Sequence, residues 1–186
     1  MATLVTGGTG FIGSNVIKAL VRRGHEVVCF DLEPPDDLVK RYLEPWIGQV
    51  AFIQGDVLRM ADLEPITSSD VTKIVHAAVF TGILSDIETG RSHSIVDINI
   101  MGTANVLELA CRLPTDRFLY VSSGAVYGER EDPTEVLYED GPTYPHTLYA
   151  ATKYASELLV RRYGQLHGFQ AVSVRLGGPY GPMERV

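Results

Sequence analysis

The sequence predicts a doubly wound α/β fold, a mostly parallel sheet with helices on both faces. Short apolar runs alternate with longer segments of helical period, which is typical of strand–helix–strand units in a parallel sheet. A glycine-rich segment directly follows the first apolar run. Strands are predicted at 2–6, 26–30, 50–54, 73–76, 117–122 and 170–175, and helices at 11–23, 36–45, 60–66, 96–112 and 148–167.

The residues at the boundaries support these elements in order. Gly24 closes the first helix as a C-cap, and Pro114 closely follows the fourth helix. The segment from Glu129 to Pro145 is rich in acidic residues, proline and glycine, which predicts a loop. Because the loop directly precedes a helix, it is interpreted as a lid or a segment that faces the substrate.

Composition and charge restrict the classes of function. A chain of 186 residues with 45% hydrophobic residues can form one globular core. The formal net charge of -7, without a concentrated basic segment, argues against nucleic-acid binding. No apolar run is long enough to cross a bilayer, and a strand-like segment follows Met1 without a basic leader. We therefore expect a cytoplasmic protein with no membrane partner.

The cysteines and histidines do not indicate a metal site. Cys29 and Cys111 lie far apart in apolar stretches and have no metal-ligand spacing. We expect both to be small buried hydrophobic residues, with no disulfide. The five histidines occur singly along the chain.

A glycine-rich turn between the first strand and the first helix is the first chemical signal. Gly7 can take the tight turn, Gly10 lets the backbone approach a pyrophosphate, and Gly13 lets the helix pack closely on the strand. The free N–H groups and positive dipole at the start of the helix, where Phe11 and Ile12 lie, favour a phosphate. The alternative is an ordinary tight strand-to-helix turn.

Two aspartates follow later strands. Asp31 ends the second strand about 20 residues beyond the glycines, where a carboxylate can hold the ribose hydroxyls. It would repel a 2′-phosphate and no arginine directly follows it, which predicts NAD over NADP. Asp31 could instead form a turn before the two prolines. After the third strand, Asp56 beside Val57 could accept from the adenine amino group, although Gly-Asp is also a common turn.

Tyr149 and Lys153 are the second strong signal. Their spacing places the phenol and the ammonium on one helix face. A cation near the phenol favours the phenolate, so we expect Lys153 to lower the pKa of Tyr149 and make it a usable base. An amphipathic helix can also carry this pair by chance.

Taken together, these features resemble the extended short-chain dehydrogenase/reductase family, in its NAD-dependent epimerase/dehydratase group. This family has a Rossmann-type dinucleotide-binding fold. The resemblance runs through essentially the whole chain. Its motifs are Thr6-Gly7-Gly8-Thr9-Gly10-Phe11-Ile12-Gly13, Asp31, Gly55-Asp56-Val57, His76-Ala77-Ala78, Asn99 with Gly102-Thr103, Ser122-Ser123-Gly124-Ala125-Val126-Tyr127-Gly128, Tyr149 with Lys153, and Arg175 with Pro179-Tyr180-Gly181-Pro182.

The resemblance assigns further roles. It implies that Ala77 and Ala78 line the cofactor and that Asn99 helps to hold it, where the residues alone suggest buried small side chains and a helix-start asparagine. It also makes Ser123 the third catalytic residue. In the implied mechanism Tyr149 takes a proton from a substrate hydroxyl while the adjacent carbon gives a hydride to NAD. Lys153 would hold the phenolate charge and bind the nicotinamide ribose, and Ser123 would orient the substrate oxygen.

The sequence departs from the family pattern at two places. Gly124-Ala125 stand where dehydratase members carry Asp-Glu, which argues against a sugar 4,6-dehydratase. Gly177-Gly178 stand where many members have an asparagine that reaches the substrate, which puts the usual nucleotide-sugar contact in doubt.

Family members also imply a domain organisation and a partner. Residues 1–186 correspond to the NAD-binding domain, and we expect the C-terminal substrate domain to be largely absent from this chain. A homodimer is expected through the helices near 96–112 and 148–167, with Leu107, Leu158 and Leu159 on its apolar face.

Three functions remain open. The first is an NAD-dependent epimerase or dehydrogenase acting on a sugar, with a nucleotide sugar as the expected substrate. The second is an NAD(P)-dependent reductase of another carbonyl substrate. The third is a catalytically silent NAD-binding module, against which the intact Ser123, Tyr149 and Lys153 argue.

Overall fold

The computed structural model describes residues 1–81, 85–129, 132, 134 and 136–184. Its centre is a six-stranded sheet in the order β3-β2-β1-β4-β5-β6, and all neighbouring strands are parallel. The predicted doubly wound α/β fold is therefore confirmed. The strands are β1 Ala2–Thr6, β2 Val27–Asp31, β3 Val50–Gln54, β4 Val71–His76, β5 Arg117–Ser123 and β6 Gln170–Leu176.

The strand order determines where a ligand can bind. The chain winds outward from β1 to β3, then crosses back and continues from β4 to β6. β1 and β4 are neighbours at this reversal, and Thr6 pairs with His76 near their carboxyl ends. In doubly wound sheets ligands bind in the crevice at this switch point.

Helices cover both faces of the sheet. They are α1 Phe11–Val21, α2 Asp37–Leu43, α3 Met60–Leu63, α4 Ser85–Gly90, α5 Ser92–Val96, α6 Gly102–Arg112 and α7 Leu148–His167. α1 contacts β1 and β2, whereas α6 and α7 contact β4, β5 and β6. The core is correspondingly divided into two apolar clusters, one containing Val5 and Ile17 and the other containing Leu4 and Phe118.

Two predicted helices end earlier than expected. α2 and α3 each stop one residue before a glutamate–proline pair and continue as 3-10 turns, at Glu44–Gln49 and Glu64–Ser68. Proline has no N–H to donate and obstructs the preceding turn, so it cannot extend an α-helix through its interior. It is accepted at the start of each 3-10 turn.

The predicted helix at 96–112 starts earlier, at α5, and contains a π-helical segment at Asp97–Met101. The helix α4, which precedes α5, was not predicted. Inside the π-helical segment, the Asn99 carbonyl accepts from the hydroxyls of Thr103 and Ser156, at 2.6 and 2.8 Å. These side chains satisfy a carbonyl that the widened turn presents.

The expectation that no apolar run matches a membrane span is wrong for this helical stretch. Ser92–Arg112 has the length of a span, and its most apolar 18 residues have a mean hydropathy of 1.2. In the structure 44% of these 18 residues are buried within the chain, and α6 packs against β4. Packing on the sheet accounts for its apolar composition.

Three further expectations were tested by burial. Cys29 is buried as expected, but Cys111 is only partly buried. Leu107 is fully buried in the core, so its assignment to an external dimer face is wrong.

Within the predicted loop Glu129–Pro145, the described residues form turns and irregular backbone, while residues 130, 131, 133 and 135 lie outside the described residues.

Candidate active site

The turn between β1 and α1 is packed too tightly for any side chain at two of its glycines. Gly7 has φ +66°, and a Cβ there would lie 2.6 Å from the backbone nitrogen of Ala78 and 2.7 Å from the carbonyl carbon of Ala77. A Cβ on Gly13 would lie 2.0 Å from the Gly7 carbonyl oxygen. The turn is thus held between the end of β4 and the first turn of α1, as the motif predicts.

The start of α1 is arranged for an anion. Gly10 is the N-cap, is exposed and has no side chain to cap the helix. The N–H groups of the first helical turn, which include those of Phe11 and Ile12, have no acceptor within the helix. Together with the helix dipole they form a ready binding site for a phosphate.

Asp31 ends β2 beside this turn. Its Oδ2 accepts from the Thr9 N–H at 2.9 Å, which fixes the carboxylate. Asp31 lines a cavity of about 90 Å³ with a second carboxylate, Glu33, and the residues that line it include no lysine or arginine. The negative lining fits ribose hydroxyls and disfavours an additional phosphate.

Asp56 forms the turn after β3. Its Oδ1 accepts from the Leu58 N–H at 2.9 Å, and its own N–H donates to Oδ2 of Asp62 at 2.9 Å. This turn lowers the pKa of Asp62, mainly through the hydrogen bond from the Asp56 backbone. Val57 is buried in the core. The turn is therefore observed, and contact of these residues with a cofactor stays a prediction.

Asn99 links the segment after β4 to the helix α7 through hydrogen bonds. Its amide donates to the Phe80 carbonyl at 3.1 Å and to the Thr152 hydroxyl at 3.0 Å, and its Oδ1 accepts from the Phe80 N–H at 2.8 Å. It lies within a helix, so the helix-start interpretation is wrong. Asn99 fixes the segment after β4, which includes Ala77 and Ala78, relative to α7.

Tyr149 lies in the first turn of α7. The Thr147 side chain caps this helix by accepting from the Ala150 N–H at 3.1 Å, and the Glu88 carboxylate accepts from the Leu148 N–H. Both Tyr149 and Lys153 are buried. Helix capping at two N–H groups thus holds the backbone that carries the phenol.

Lys153 extends beneath the end of β5. Its Nζ donates to the Val121 carbonyl oxygen at 2.7 Å and lies 4.8 Å from the ring centroid of Tyr120 and 5.9 Å from that of Tyr149. Burial lowers the pKa of Lys153 to about 7, and the negative charge of Glu157 partly opposes this effect.

The expected lowering of the Tyr149 pKa by Lys153 is not observed. Burial raises the pKa of Tyr149, and a hydrogen bond with Ser123 only partly offsets it. The physical reason is that the phenol is desolvated, and that Lys153, whose pKa burial lowers to about 7, is only partly charged at neutral pH.

The structure distinguishes Ser123 from Ser122. Ser123 ends β5, caps the 3-10 turn Gly124–Tyr127 by accepting from the Ala125 N–H at 3.2 Å, and reaches the Tyr149 phenol. Ser122 is buried and donates to Oε1 of Glu157 at 2.5 Å. Ser123, Tyr149 and Lys153 are thus brought together, with Gly124 and Ala125 adding no carboxylate.

Sequence reasoning missed a buried polar network behind these residues. His76 is fully buried between the hydroxyls of Thr6 and Thr103, at 2.6 and 3.0 Å from its ring nitrogens. Burial, with a smaller effect of Lys153, lowers its pKa to about 3, so it is neutral. A lone histidine at the end of an apolar strand was the sequence signal that could have indicated this network.

Within the described residues no group of three or more His, Cys, Asp or Glu side chains could hold a metal ion.

Gly177 and Gly178 follow β6 and are both exposed. Nothing lies within 4 Å of a Cβ added at either position, so packing does not require glycine there, although Gly178 has φ +65°. The positive φ favours glycine at position 178.

Comparison with known proteins identifies the family. The model of the NAD dependent epimerase/dehydratase family matches residues 3–186. The probable UDP-glucuronate 4-epimerase of Rhizobium meliloti is 32% identical over 193 residues, which cover 100% of this chain and 55% of the relative. The dTDP-glucose 4,6-dehydratase of Streptomyces niveus is 32% identical over 191 residues, covering 99% of this chain and 55% of the relative.

A solved structure shows the same fold. UDP-glucuronic acid 4-epimerase from Bacillus cereus, in complex with UDP-glucuronic acid and NAD, superposes with a TM-score of 0.84 at 28% identity. The alignment covers 100% of this chain and 59% of that one. This chain spans little more than half the length of these relatives. The matched family model, together with the glycine turn and the strand order, shows that the chain belongs to the NAD-dependent epimerase/dehydratase family.

Proposed function

We propose that the protein binds NAD and oxidises and reduces a hydroxyl-bearing carbon of a nucleotide sugar, as an epimerase or a dehydrogenase. The convergence of Ser123, Tyr149 and Lys153 at the carboxyl end of β5 carries this proposal. The relatives support the substrate class, because they include a UDP-glucuronate epimerase and a dTDP-glucose dehydratase.

The residues at the switch point fit NAD. Gly7 and Gly13 let the turn pack closely on the end of β4 and the start of α1, and the exposed Gly10 would let a pyrophosphate approach the backbone. The uncapped start of α1 favours the charge of the pyrophosphate. Asp31 would hold the adenosine ribose, and the acidic cavity beside it disfavours NADP. When bound, NAD would supply the acceptor for a hydride from the substrate carbon.

Tyr149 would then transfer the proton, and Ser123 and Lys153 would stabilise the tyrosine phenolate. With its pKa raised, the Tyr149 phenol is protonated at pH 7 and can donate its Oη proton to a carbonyl oxygen. In the reverse direction Tyr149 must first be a phenolate, which the Ser123 hydroxyl would stabilise by a hydrogen bond, and it becomes a neutral phenol when it takes the proton of the substrate hydroxyl. Charged Lys153 also favours the phenolate, so substrate oxidation needs protonated Lys153.

The turn after Ser123 favours epimerisation or simple oxidation over dehydration. Elimination of water needs a carboxylic acid/base pair at this place, and Gly124 and Ala125 provide none. The proposed reaction therefore breaks a C–H bond at one sugar carbon, which an epimerase would re-form on the opposite face, and it cleaves no C–O bond.

Binding and turnover test the proposal in sequence. Calorimetry with NAD and NADP on this chain should show binding of NAD with a clear preference. The full-length gene product should then be incubated with UDP-glucose, UDP-glucuronate and dTDP-glucose, with product analysis by NMR. Epimerised sugar without net NADH identifies an epimerase, and stoichiometric NADH identifies a dehydrogenase. Failure to bind NAD would overturn the proposal, and binding without conversion of any nucleotide sugar would reject the activity.

We also propose a homodimer through the outer faces of the helices α6 and α7. Leu158 and Leu166 on α7 are 41% and 59% exposed, and Leu159 is partly buried. Covering such leucines is favourable by roughly 25 cal/mol per Å² of apolar area. Light scattering should show that the wild-type protein is a dimer and that Leu158→Glu is a monomer. Leu38→Glu, at an exposed position of α2, is the control and should remain a dimer. A monomeric wild-type protein at high concentration would contradict the dimer.

A further inference from the structure

A buried ion pair lies behind the proposed catalytic residues. The Arg175 guanidinium donates to both carboxylate oxygens of Glu157, at 2.8 Å from Nη2 to Oε2 and 3.0 Å from Nε to Oε1. The two side chains are only 16% and 9% exposed. Burial of two charges costs several kcal/mol, and apolar residues of similar size often replace such pairs without loss of stability. The pair is therefore better explained by what it positions than by stability alone.

Glu157 holds the end of β5. Its Oε1 also accepts from the Ser122 hydroxyl at 2.5 Å, so one carboxylate joins β5, β6 and α7. Ser122 directly precedes Ser123, and side chains alternate along a strand. Fixing Ser122 towards α7 therefore fixes the backbone from which Ser123 projects.

Arg175 holds the turn after β5. Its guanidinium lies 4.7 Å from the centroid of the Tyr127 ring, at the end of the turn Gly124–Tyr127. Its Nη1 donates to the Glu139 carbonyl at 3.2 Å. The forked guanidinium thus binds a carboxylate, an aromatic face and a loop carbonyl at once, which an ammonium group could not reproduce.

We infer that the Glu157–Arg175 pair is a positioning unit that locks the end of β5 and its following turn onto α7, so that Ser123 stays opposite Tyr149. The inference rests on the proposed function for the roles of Ser123 and Tyr149. Tyr149, Lys153 and Glu157 occupy one face of α7 at helical spacing, so the lock and the proposed catalytic residues share one rigid element.

The same carboxylate affects the charge of Lys153. The groups facing Lys153 are Tyr149 and Glu157 on α7, His76 on β4 and Tyr120 on β5, with Arg175 of β6 behind Glu157. His76 is neutral, and burial raises the pKa of Tyr120, so it is neutral too. Glu157 is the group that raises the pKa of Lys153. Its removal should therefore lower that pKa.

Amide hydrogen exchange and enzyme kinetics on two variants test the inference. Ser122→Ala keeps the ion pair but removes the link to β5, and Glu157→Gln removes the charge. Glu64→Gln is the matched control, because it breaks the exposed pair with Arg112. Exchange at the Ala125 amide should rise by at least about tenfold in both variants but not in the control.

The turnover rate should likewise fall in Ser122→Ala and Glu157→Gln but not in the control Glu64→Gln. In both variants kcat should fall by about tenfold to a hundredfold while NAD affinity changes less, since the glycine turn and Asp31 lie on other elements. In Glu157→Gln alone, the pH limb that Lys153 governs should move to lower pH. Folded variants with unchanged Ala125 exchange, or equal loosening in Glu64→Gln, would overturn the inference. A wild-type protein without NAD binding or turnover would instead reject the proposed function, and the exchange result would still decide whether the pair acts as a lock.

Discussion

The Lys153 ammonium donates a hydrogen bond of 2.7 Å to the carbonyl oxygen of Val121, two residues before Ser123 on β5. This bond ties the lysine to the strand whose end carries the serine. The proposed catalytic groups are therefore joined through backbone as well as through side chains, and their separate contributions can be tested by substitution.

Tyr149→Phe should abolish turnover and leave NAD binding nearly unchanged, because it removes only the phenolic oxygen and keeps the buried ring. General acid–base groups contribute about a hundredfold to ten-thousandfold, which sets the expected loss in kcat. The measurement is kcat of the full-length gene product, with NAD affinity by calorimetry. Tyr163→Phe, on the same helix but bound to Glu108, is the control. Unchanged turnover in Tyr149→Phe would mean that another group moves the proton.

Lys153→Met should reduce turnover and NAD affinity together, since it removes both a charge and a donor. Lys40→Met, at an exposed position, should change neither. In the wild-type protein, the Lys153 side chain should titrate near pH 7, charged below and neutral above, because burial lowers its pKa to about 7. NMR of protein with ¹³Cε-labelled lysine measures this midpoint. A midpoint near 10 would show that Lys153 is not desolvated.

Asp31 should make the protein prefer NAD to NADP by a wide margin. Asp31→Asn keeps an acceptor for the Thr9 N–H but removes the charge, so NADP binding should improve relative to NAD. Glu33→Gln, which changes the second carboxylate of the same cavity, should have the smaller effect. Calorimetric titration with both dinucleotides decides this. Equal or tighter binding of NADP by the wild-type protein would contradict the role of Asp31.

Gly13→Ala should destabilise the fold and weaken NAD binding, because the new Cβ would lie 2.0 Å from the Gly7 carbonyl oxygen. Overpacking of this kind costs about 1–3 kcal/mol. Gly48→Ala is the matched control, since nothing lies within 4 Å of a Cβ there. Urea unfolding and NAD titration of both variants give the comparison. Equal stability of the two variants would show that the turn can adjust.

His76 should make stability depend on pH in the acid range. Its pKa is about 3 in the folded state and about 6.5 when unfolded, so only the unfolded chain binds the proton between these values. The free energy of unfolding should therefore fall as pH decreases from 6.5 towards 3, by at most about 1.4 kcal/mol per pH unit from this group. His76→Gln should reduce this slope, and His25→Gln, at an exposed position, should not.

Chemical denaturation at several pH values from about 4 to about 7 measures the slope for each protein. An identical slope in His76→Gln and wild-type protein would mean that the buried imidazole is protonated in the folded state.

Local sequence signals were sufficient for much of the fold. Alternation of apolar runs with helical periods predicted all six strands, and the signal has a physical basis in strands such as β1 and β2, which are buried along nearly their whole length and must be apolar. Helix ends were less predictable at Pro45 and Pro65, where 3-10 turns continue the chain. The early start of the long helix at Ser92 depends on contacts that hold a π-helical segment, such as those from Ser156.

The sequence by itself determined the glycine turn, the acidic end of β2 and the Tyr149–Lys153 face, since each depends on spacing within one element. Only the tertiary structure decided which groups surround these residues. Lys153 was expected as a cation that lowers the pKa of the phenol, yet it is desolvated beneath β5 and hydrogen-bonded to the Val121 carbonyl. The pairing of Glu157 with Arg175 joins α7 to β6 across the sheet edge. Charge states and long-range contacts depend on burial and on distance in space, and neither is written in the spacing of residues along the chain.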